Sequence, residues 1–324
     1  MSKIEINLFC DEIKEVELET HTGENQKWYY IGLLIIPIVQ KESVLNKLLN
    51  LRCLQDKDEE YKWPGRDSCE ISCGYHKANN TEIHYKDATD FATSEIAKNW
   101  IDFIVNQNRE NIYFYILGLN LTRLDYSYFG KENVHDRVFR IYNRFFRTAL
   151  QKSVKSYFSD ANKIIIPEIF HDRSDALETH DYFPWHPINK LDGEDEKLDF
   201  ECNRITFLDS DHRNSNDSHS HFLQLIDLIL GVTFNSLHYS SNNEKKVEIA
   251  DKFEPLLWRL LNRSDNLDSK YNHVGRLAVD FFPKYDISDI NPDSQSFKYK
   301  LKRKDAFYKN RELKLKNRNQ MKLF

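Results

Sequence analysis

The chain has 324 residues, of which 40% are hydrophobic and 13% aromatic, so it can build a sizeable core and is not a generally disordered protein. Its formal net charge of −5 excludes an overall basic character of the kind that marks many nucleic-acid-binding domains. The charge is uneven, because residues 298–324 carry 11 lysines and arginines against two acids and leave the rest of the chain strongly acidic.

The cysteines and the apolar runs bear on where the protein works. The five cysteines are odd in number and irregularly spaced, which argues against a disulfide framework. The amino terminus is charged and lacks the apolar region of a signal peptide. The longest apolar run, at 31–39, is too short to span a bilayer and contains Pro37. We therefore expect a soluble, cytoplasmic protein with no membrane association.

The first predicted element is a β-strand in the opening sequence MSKIEINLFCDEI. Ile4, Ile6 and Leu8 alternate with polar residues, which is the period-two pattern of a strand with one buried face. We expect this strand to end at Asp11 and Glu12. If the strand continues, these two adjacent side chains point to opposite faces of the sheet, so Asp11 is the better candidate ligand.

The remaining elements alternate between strand-like and helix-like patterns. In chain order, the sequence predicts a strand at 27–38, a helix at 41–55, a short strand-like piece at 81–88, a helix at 90–107, a strand at 111–121, a helix at 133–158, strands at 163–172 and 204–210, and helices at 219–237 and 247–261. Early hairpins followed by strands separated by helices predict an α/β fold, with a mixed sheet covered by helices on both faces.

The predicted organisation has three parts. Residues 1–240 form the main domain, with polar insertions near 56–81 and 173–203. Residues 241–297 form a helical region packed on that domain. Residues 298–324 form a basic C-terminal extension, in which Lys302, Arg303, Lys304 and Arg311 are candidates for phosphate contacts because aromatic residues lie between the basic ones. A terminal helix packed on the body is the competing interpretation.

Four acids stand out by their positions: Asp11, Glu82, Asp172 and Asp227. Asp172 ends the apolar strand KIIIPEIFHD, and Asp227 lies within the apolar helix segment FLQLIDLILG, where a carboxylate is costly to bury without a partner. If the four converge, their repulsion favours a hard divalent cation such as Mg²⁺ or Mn²⁺. Two such ions can activate water for phosphodiester cleavage. Separate roles for each acid, in turns, caps or ion pairs, remain open at this point.

The segments CDE, EIHYKD, FHD and FLQLID together resemble a family of RNase H-like proteins, domain of unknown function 3800, over about residues 4–235. The resemblance implies an RNase H-like sheet whose carboxylates bind two Mg²⁺ or Mn²⁺ ions, with Asp11, Glu82, Asp172 and Asp227 as ligands. Ile13-Lys14 replaces the family's usual Ser-Gly, and His84 stands near a position where family members commonly have lysine. Auxiliary candidates are Glu12, His84, Asp209 and His221.

The resulting functional hypothesis is a metal-dependent nuclease with a nucleic-acid substrate. The resemblance also suggests a bacterial or mobile-element setting, with a role as an effector in phage defence and room for a protein partner. Two alternatives stay open. The first is a catalytically degenerate RNase H-like module that binds nucleic acid or protein. The second is a metal-dependent hydrolase of a nucleotide or another small phosphoester.

A second group of metal-binding residue types lies in the polar region before Glu82. Cys69, Cys73 and His76 are closely spaced, and Cys53 lies upstream, but the spacing from Cys53 matches no familiar zinc-finger pattern. We therefore expect ordinary reduced cysteines here and no structural zinc.

Overall fold

The computed structural model describes residues 2–19, 25–54, 73–106, 111–129, 134–215, 217–238, 240–241, 243–261 and 273–283. The strands in these residues are β1 (Lys3–Glu19), β2 (Asn25–Pro37), β3 (Tyr113–Asn120), β4 (Lys163–Asp172), β5 (Leu198–Phe200), β6 (Thr206–Leu208) and β7 (Leu277–Phe282). The helices are α1 (Ile38–Asn50), α2 (Gly74–Ala78), α3 (Phe91–Val105), α4 (Val134–Tyr157), α5 (Asp175–Glu178), α6 (His186–Asp192), α7 (His212–Ser215), α8 (Ser220–His238) and α9 (Glu244–Leu261).

The strands form one mixed sheet in the order β5-β4-β1-β2-β3-β7, with β6 also paired to β4. The β1-β2 and β2-β3 pairs are antiparallel, whereas β4 is parallel to β1 and β7 is parallel to β3. The predicted α/β class with a mixed sheet is confirmed. Within the described residues, no helix combines the length and the apolar character that crossing a bilayer requires.

Helices cover both faces of this sheet, as predicted, and each face has its own apolar core. Along β2, Tyr30 and Leu34 pack with α1, α3, α8 and α9, whereas Tyr29 and Ile31 pack with α4 and α6. The alternation follows from the period-two geometry of a strand buried on both faces. The two cores are called here the α8 face and the α4 face.

The prediction that β1 ends at Asp11 is wrong. The strand continues to Glu19 because β2 runs antiparallel beside it, and Asp11 pairs with Gly32 in the middle of the strand. The register shifts between Ile13 and Val16, which marks a bulge or similar irregularity in the second half of β1. The strand that does end at this level of the sheet is β4, which stops at Asp172 beside Asp11.

Three other segments differ from the predictions. Residues 81–84 form no strand and lead into a 3₁₀ turn at Tyr85–Asp87, because the N–H groups of Ile83 and Tyr85 bond to side chains of α8 instead of to the sheet. The predicted helical region 241–297 also contains the edge strand β7. The predicted insertion 173–203 contributes α5, α6 and β5. The basic extension 298–324, with Lys302, Arg303, Lys304 and Arg311, lies outside the described residues.

Candidate active site

The first two acids are brought together by parallel pairing of β1 and β4. Cys10 pairs with His171 in this register, so the next residues along the two strands, Asp11 and Asp172, lie side by side. Asp11 is 8% exposed, and its Oδ1 accepts a hydrogen bond from the backbone N–H of Glu12 at 2.7 Å. Two neighbouring carboxylates on adjacent strands form the base of the site.

Helix α8 brings the third acid, and a glycine in the sheet allows its close approach. Gly32 pairs with Asp11, and a Cβ at this position would lie 2.7 Å from Cγ of Leu230 and 3.0 Å from Cγ1 of Ile226. These distances are too short for any side chain larger than hydrogen, so α8 can lie against the backbone of β2. Asp227, one residue after Ile226, is consequently close enough to Asp11 for their charges to repel.

The same face of α8 holds the segment that carries the fourth acid. Gln224 and Asp227 are three residues apart and therefore share one side of the helix. The Ile83 N–H donates to Oε1 of Gln224 at 3.2 Å, and the Tyr85 N–H donates to Oδ2 of Asp227 at 2.7 Å. Gly231, one turn further, packs against the Tyr85 side chain, where an added Cβ would overlap Cβ and Cγ of the tyrosine.

Glu82, on this segment, joins the cluster through a serine and a histidine. Ser210 donates its hydroxyl proton to Oε1 of Glu82 at 2.8 Å, and the same hydroxyl is close enough to the Asp172 side chain to lower its pKa. His84 lies between two acids, with Nε2 at 2.7 Å from Glu82 Oε1 and Nδ1 at 3.4 Å from Asp227 Oδ2. Asp11, Glu82, Asp172 and Asp227, from four separate segments, therefore form one cluster, called here the acid cluster.

The two acids of the cluster that lie on strands of the sheet have raised pKa values. Burial raises the pKa of Asp11 well above its ordinary value, and the charges of Asp227 and Asp172 raise it further. Burial also raises the pKa of Asp172, although the nearby Ser210 hydroxyl opposes the shift. Both carboxylates are thus under electrostatic pressure to bind a proton or another cation.

His84 supplies positive charge on the opposite side of the cluster. Burial alone would lower its pKa, but the hydrogen bonds and charges of Asp227 and Glu82 raise the pKa of His84 to about 11. Despite its burial, the Glu82 pKa is lowered, because the hydrogen bonds from His84 and Ser210 favour its ionised form. At neutral pH the imidazole is therefore protonated and fixes the positions of two acids.

The acid cluster is accessible to solvent from one side. The side chains of Glu82 and Asp227 are 23% and 25% exposed, and that of His84 is 17% exposed. A ligand can therefore reach Glu82, His84 and Asp227 directly, whereas Asp11 is buried and Asp172 is partly exposed.

The other auxiliary candidates lie elsewhere. Glu12 points to the α4 face, where its Oε2 is 3.2 Å from Nε2 of His171. The Asp209 carboxylate accepts from the backbone N–H of Asp211 at 2.9 Å and so fixes a turn. His221 bonds through Nδ1 to Nη2 of Arg52 at 3.2 Å, and burial, together with the positive charge of Arg52, lowers the pKa of His221 to about 2. The described contacts of these three side chains do not involve the acid cluster.

Sequence reasoning missed the buried arginine that supports this site. Arg52 is 2% exposed and donates to the Thr81 carbonyl at 2.6 Å and to Oε1 of Gln224 at 2.6 Å. It also stacks over the Trp100 ring at 5.0 Å. Arg52 thus ties the end of α1 to both α8 and the segment before Glu82. Nothing in the sequence marked it, because its partners lie 29 and 172 residues away.

Two groups of side chains differ in how closely their potential metal-ligand atoms are spaced. Among the described residues, one group of three or more potential ligand atoms lies entirely within 4.8 Å, namely Cys53, Cys73 and His76. The acid cluster is more open, with His84 lying between Glu82 and Asp227.

Comparisons with protein-family models, curated proteins and solved structures found no match to this chain.

Proposed function

We propose that the protein is a divalent-metal-dependent nuclease with an RNase H-like fold. The observation that carries the proposal is the convergence of four acids from β1, β4, α8 and the segment at 82–85 into one solvent-accessible cluster. A chance set of caps and surface acids would not be expected to assemble at one point of the sheet. The resemblance in sequence motifs adds support, because it selects these same four acids.

The donor set suits Mg²⁺ or Mn²⁺. All four ligand candidates are carboxylates, which hard divalent cations prefer. Burial raises the pKa of both Asp11 and Asp172, and repulsion by the charges of Asp227 and Asp172 raises the pKa of Asp11 further. A divalent cation would relieve that repulsion, and the accessible side of the cluster gives it a route of entry.

In this proposal, Asp11, Asp172 and Asp227 hold the cations, with Glu82 contributing from the accessible side. Bound Mg²⁺ or Mn²⁺ supplies Lewis acidity and lowers the pKa of water, which is the chemistry that phosphodiester hydrolysis needs. The chain's own residues provide the rigid frame. The Tyr85 N–H fixes Asp227, the Ser210 hydroxyl fixes Glu82, and the strand register fixes Asp11 beside Asp172.

His84 acts in this proposal as a positioning and charge-balancing residue. Its two ring nitrogens lie 2.7 Å from Glu82 and 3.4 Å from Asp227, so the side chain is placed to orient these two acids. As an imidazolium it holds Glu82 and Asp227 in place and presents positive charge toward an incoming phosphate.

One observation favours the competing function, a catalytically degenerate binding module. His84 contacts two of the four acids, so part of the charge that a metal ion would balance is already balanced by the imidazolium. In such a module the acid cluster would be a structural ion-pair network. The nuclease proposal and this alternative differ in whether the carboxylates bind a divalent cation.

The deciding experiment is a cleavage assay with Mg²⁺ or Mn²⁺ on single-stranded RNA, single-stranded DNA, duplexes, hybrids and free nucleotides. We expect cleavage of at least one nucleic-acid substrate, abolished by a chelator and reduced at least about 100-fold in Asp11→Asn and Asp227→Asn. Asp209→Asn is the matched control, because the described contacts of this carboxylate do not involve the four acids and the amide keeps the oxygen that accepts from the Asp211 N–H, so activity should stay intact.

Three outcomes would contradict the proposal. Cleavage that survives both Asp11→Asn and Asp227→Asn would place the activity elsewhere. The absence of cleavage, together with no calorimetric binding of Mn²⁺, would favour the degenerate module. Hydrolysis confined to free nucleotides would favour a small-molecule phosphoesterase.

A further inference from the structure

A second group of potential metal ligands comes from residues that precede the Glu82 segment in the chain. Cys53 follows α1, Cys73 precedes α2, and His76 lies within α2, and their ligand atoms all lie within 4.8 Å of one another. The Sγ atoms of the two cysteines are 3.9 Å apart, and Sγ of Cys73 is 2.9 Å from Nδ1 of His76. At this separation the two sulfur atoms are not joined to each other by a disulfide.

The histidine is oriented as a metal-binding histidine would be. Its Nε2 lies 3.1 Å from the Leu49 carbonyl oxygen, which can only accept a hydrogen bond. Nε2 therefore carries the proton, and in the neutral ring the lone pair of Nδ1 faces Sγ of Cys73. A backbone carbonyl that fixes the tautomer in this way is a typical outer partner of a metal-bound histidine.

The backbone is also arranged to stabilise a thiolate. The N–H of His76 donates to Sγ of Cys73 at 3.4 Å. A thiolate, not a thiol, is the form of cysteine that binds metal. This donor favours the charged sulfur at the position where a cation would compensate it.

The distance between the two sulfur atoms agrees with a tetrahedral zinc site, whereas the distance from Cys73 Sγ to His76 Nδ1 is shorter than such a site requires. With Zn–S bonds of about 2.3 Å, two thiolates of a tetrahedron lie about 3.8 Å apart, close to the separation of Cys53 and Cys73. The S-to-N edge of such a site is about 3.6 Å, so the contact between Cys73 and His76 must lengthen by about 0.7 Å.

We propose that Cys53, Cys73 and His76 bind one zinc ion. Two soft thiolates with one imidazole select zinc over the hard cations that suit the acid cluster. The fourth coordination position is left to a donor outside this trio. Cys69 lies outside the described residues and is not part of the proposed site. The proposal runs against the prediction of ordinary reduced cysteines, and it does not depend on nuclease activity.

The ion would join α1 to α2 directly before the acid-bearing segment. Next to Cys53, Arg52 accepts a hydrogen bond at its carbonyl from Nδ2 of Asn79 and donates to the carbonyls of Asn79 and Thr81. Glu82 follows immediately. A metal at this point contributes folding free energy to the short α2 region and fixes the base of the segment that enters the acid cluster.

The test is the metal content of the full-length protein purified under reducing conditions, measured by inductively coupled plasma mass spectrometry. We expect about one zinc per chain in the wild type and less than about 0.1 in Cys53→Ser and Cys73→Ser. Cys202→Ser is the matched control, because Cys202 lies outside the trio and donates to the Ile166 carbonyl at 3.7 Å, and it should retain the zinc. Zinc-free wild type, or full zinc in Cys73→Ser, would overturn the proposal.

A second measurement covers the case in which the serine variants do not fold. The wild type, stripped by a chelator and titrated with Co²⁺, should give strong visible bands of tetrahedral cobalt and thiolate-to-cobalt charge transfer in the near ultraviolet. Weak octahedral bands without charge transfer would overturn the site. So would an intact mass two hydrogens lighter in non-reduced protein that maps to a Cys53–Cys73 disulfide.

Discussion

Asp11 and Glu12 are adjacent acids on one strand, yet they lie in opposite environments. Asp11 faces α8 and joins three other carboxylates at a solvent-accessible edge. Glu12 faces α4, where its side chain is 4% exposed and lies against His171. The two faces of β1 show that the partners of an acid, more than its position in the sequence, decide what it can do.

The α4 face is organised around a neutral histidine. Nδ1 of His171 is 2.7 Å from the Asp172 carbonyl oxygen and donates to it, so Nε2 accepts the hydroxyl proton of Tyr142 at 2.6 Å. Burial lowers the pKa of His171 to about 4 and raises the pKa of Glu12 to about 7. This face therefore favours neutral forms, whereas the α8 face concentrates charge.

The largest expected effect follows from exchanging each acid for its amide. Asp11→Asn should reduce metal-dependent cleavage at least about 100-fold, whereas Glu12→Gln should stay within about threefold of wild type. Without metal, Asp11→Asn should raise the unfolding free energy by about 1–2 kcal/mol, because it removes a repelled buried carboxylate and keeps the acceptor for the Glu12 N–H. Cleavage assays and thermal unfolding measure both. Equal losses of cleavage in the two variants would mean that the two faces do not differ in function.

The pH dependence of stability sharpens the contrast on the α4 face. The folded-state pKa of Glu12, about 7, exceeds its ordinary value of 4.5, so its contribution is fully present below pH 4.5 and is lost as pH rises through 7. Glu12→Gln cannot ionise and avoids this loss. From pH 4.5 to 8, the variant should therefore gain about 3 kcal/mol relative to wild type in urea unfolding. A constant difference across this range would show that Glu12 titrates normally.

The fit of α8 against the acid-bearing segment is tested by Gly231→Ala. The new methyl group overlaps Tyr85, which should cost about 2 kcal/mol of stability after the better helix propensity of alanine is included. Because Tyr85 also donates its N–H to Asp227, cleavage should fall as well. Gly193→Ala is the control, since no atom lies within 4 Å of an added Cβ there. Denaturant unfolding that is unchanged in both variants would contradict this packing.

The smallest expected effect concerns the serine between two acids. Ser210→Ala removes the hydrogen bond to Glu82 and a hydroxyl that lowers the pKa of Asp172, and it should lower the unfolding free energy by about 1 kcal/mol. Ser174→Ala is the comparison on a buried hydroxyl that has no partner among the described residues, and its effect should be near zero. Denaturant midpoints at constant m-value distinguish the two. A larger loss in Ser174→Ala would contradict the assignment.

The sequence predicted more of the elements than of their contacts. Strand β4 ends at Asp172 and helix α8 carries Asp227, both as expected, because strong periodicity specifies long elements locally. Period two also anticipated that Asp11 and Glu12 point to opposite faces. The segment 81–88 was predicted as strand-like, although its N–H groups bond to Gln224 and Asp227, 141 and 142 residues away.

The sequence by itself determined which side chains could share a face of β1, β4 and α8, since those periods are properties of the local backbone. Only the tertiary structure decided that Asp11 lies in mid-strand beside Asp172, that Gly32 admits α8, and that His84 lies between two acids. The same holds for the approach of Cys53 to Cys73 and His76. Apart from the local pairs Glu82–His84 and Cys73–His76, these contacts join residues distant in sequence, and only the packing of helices on the twisted sheet brings such residues together.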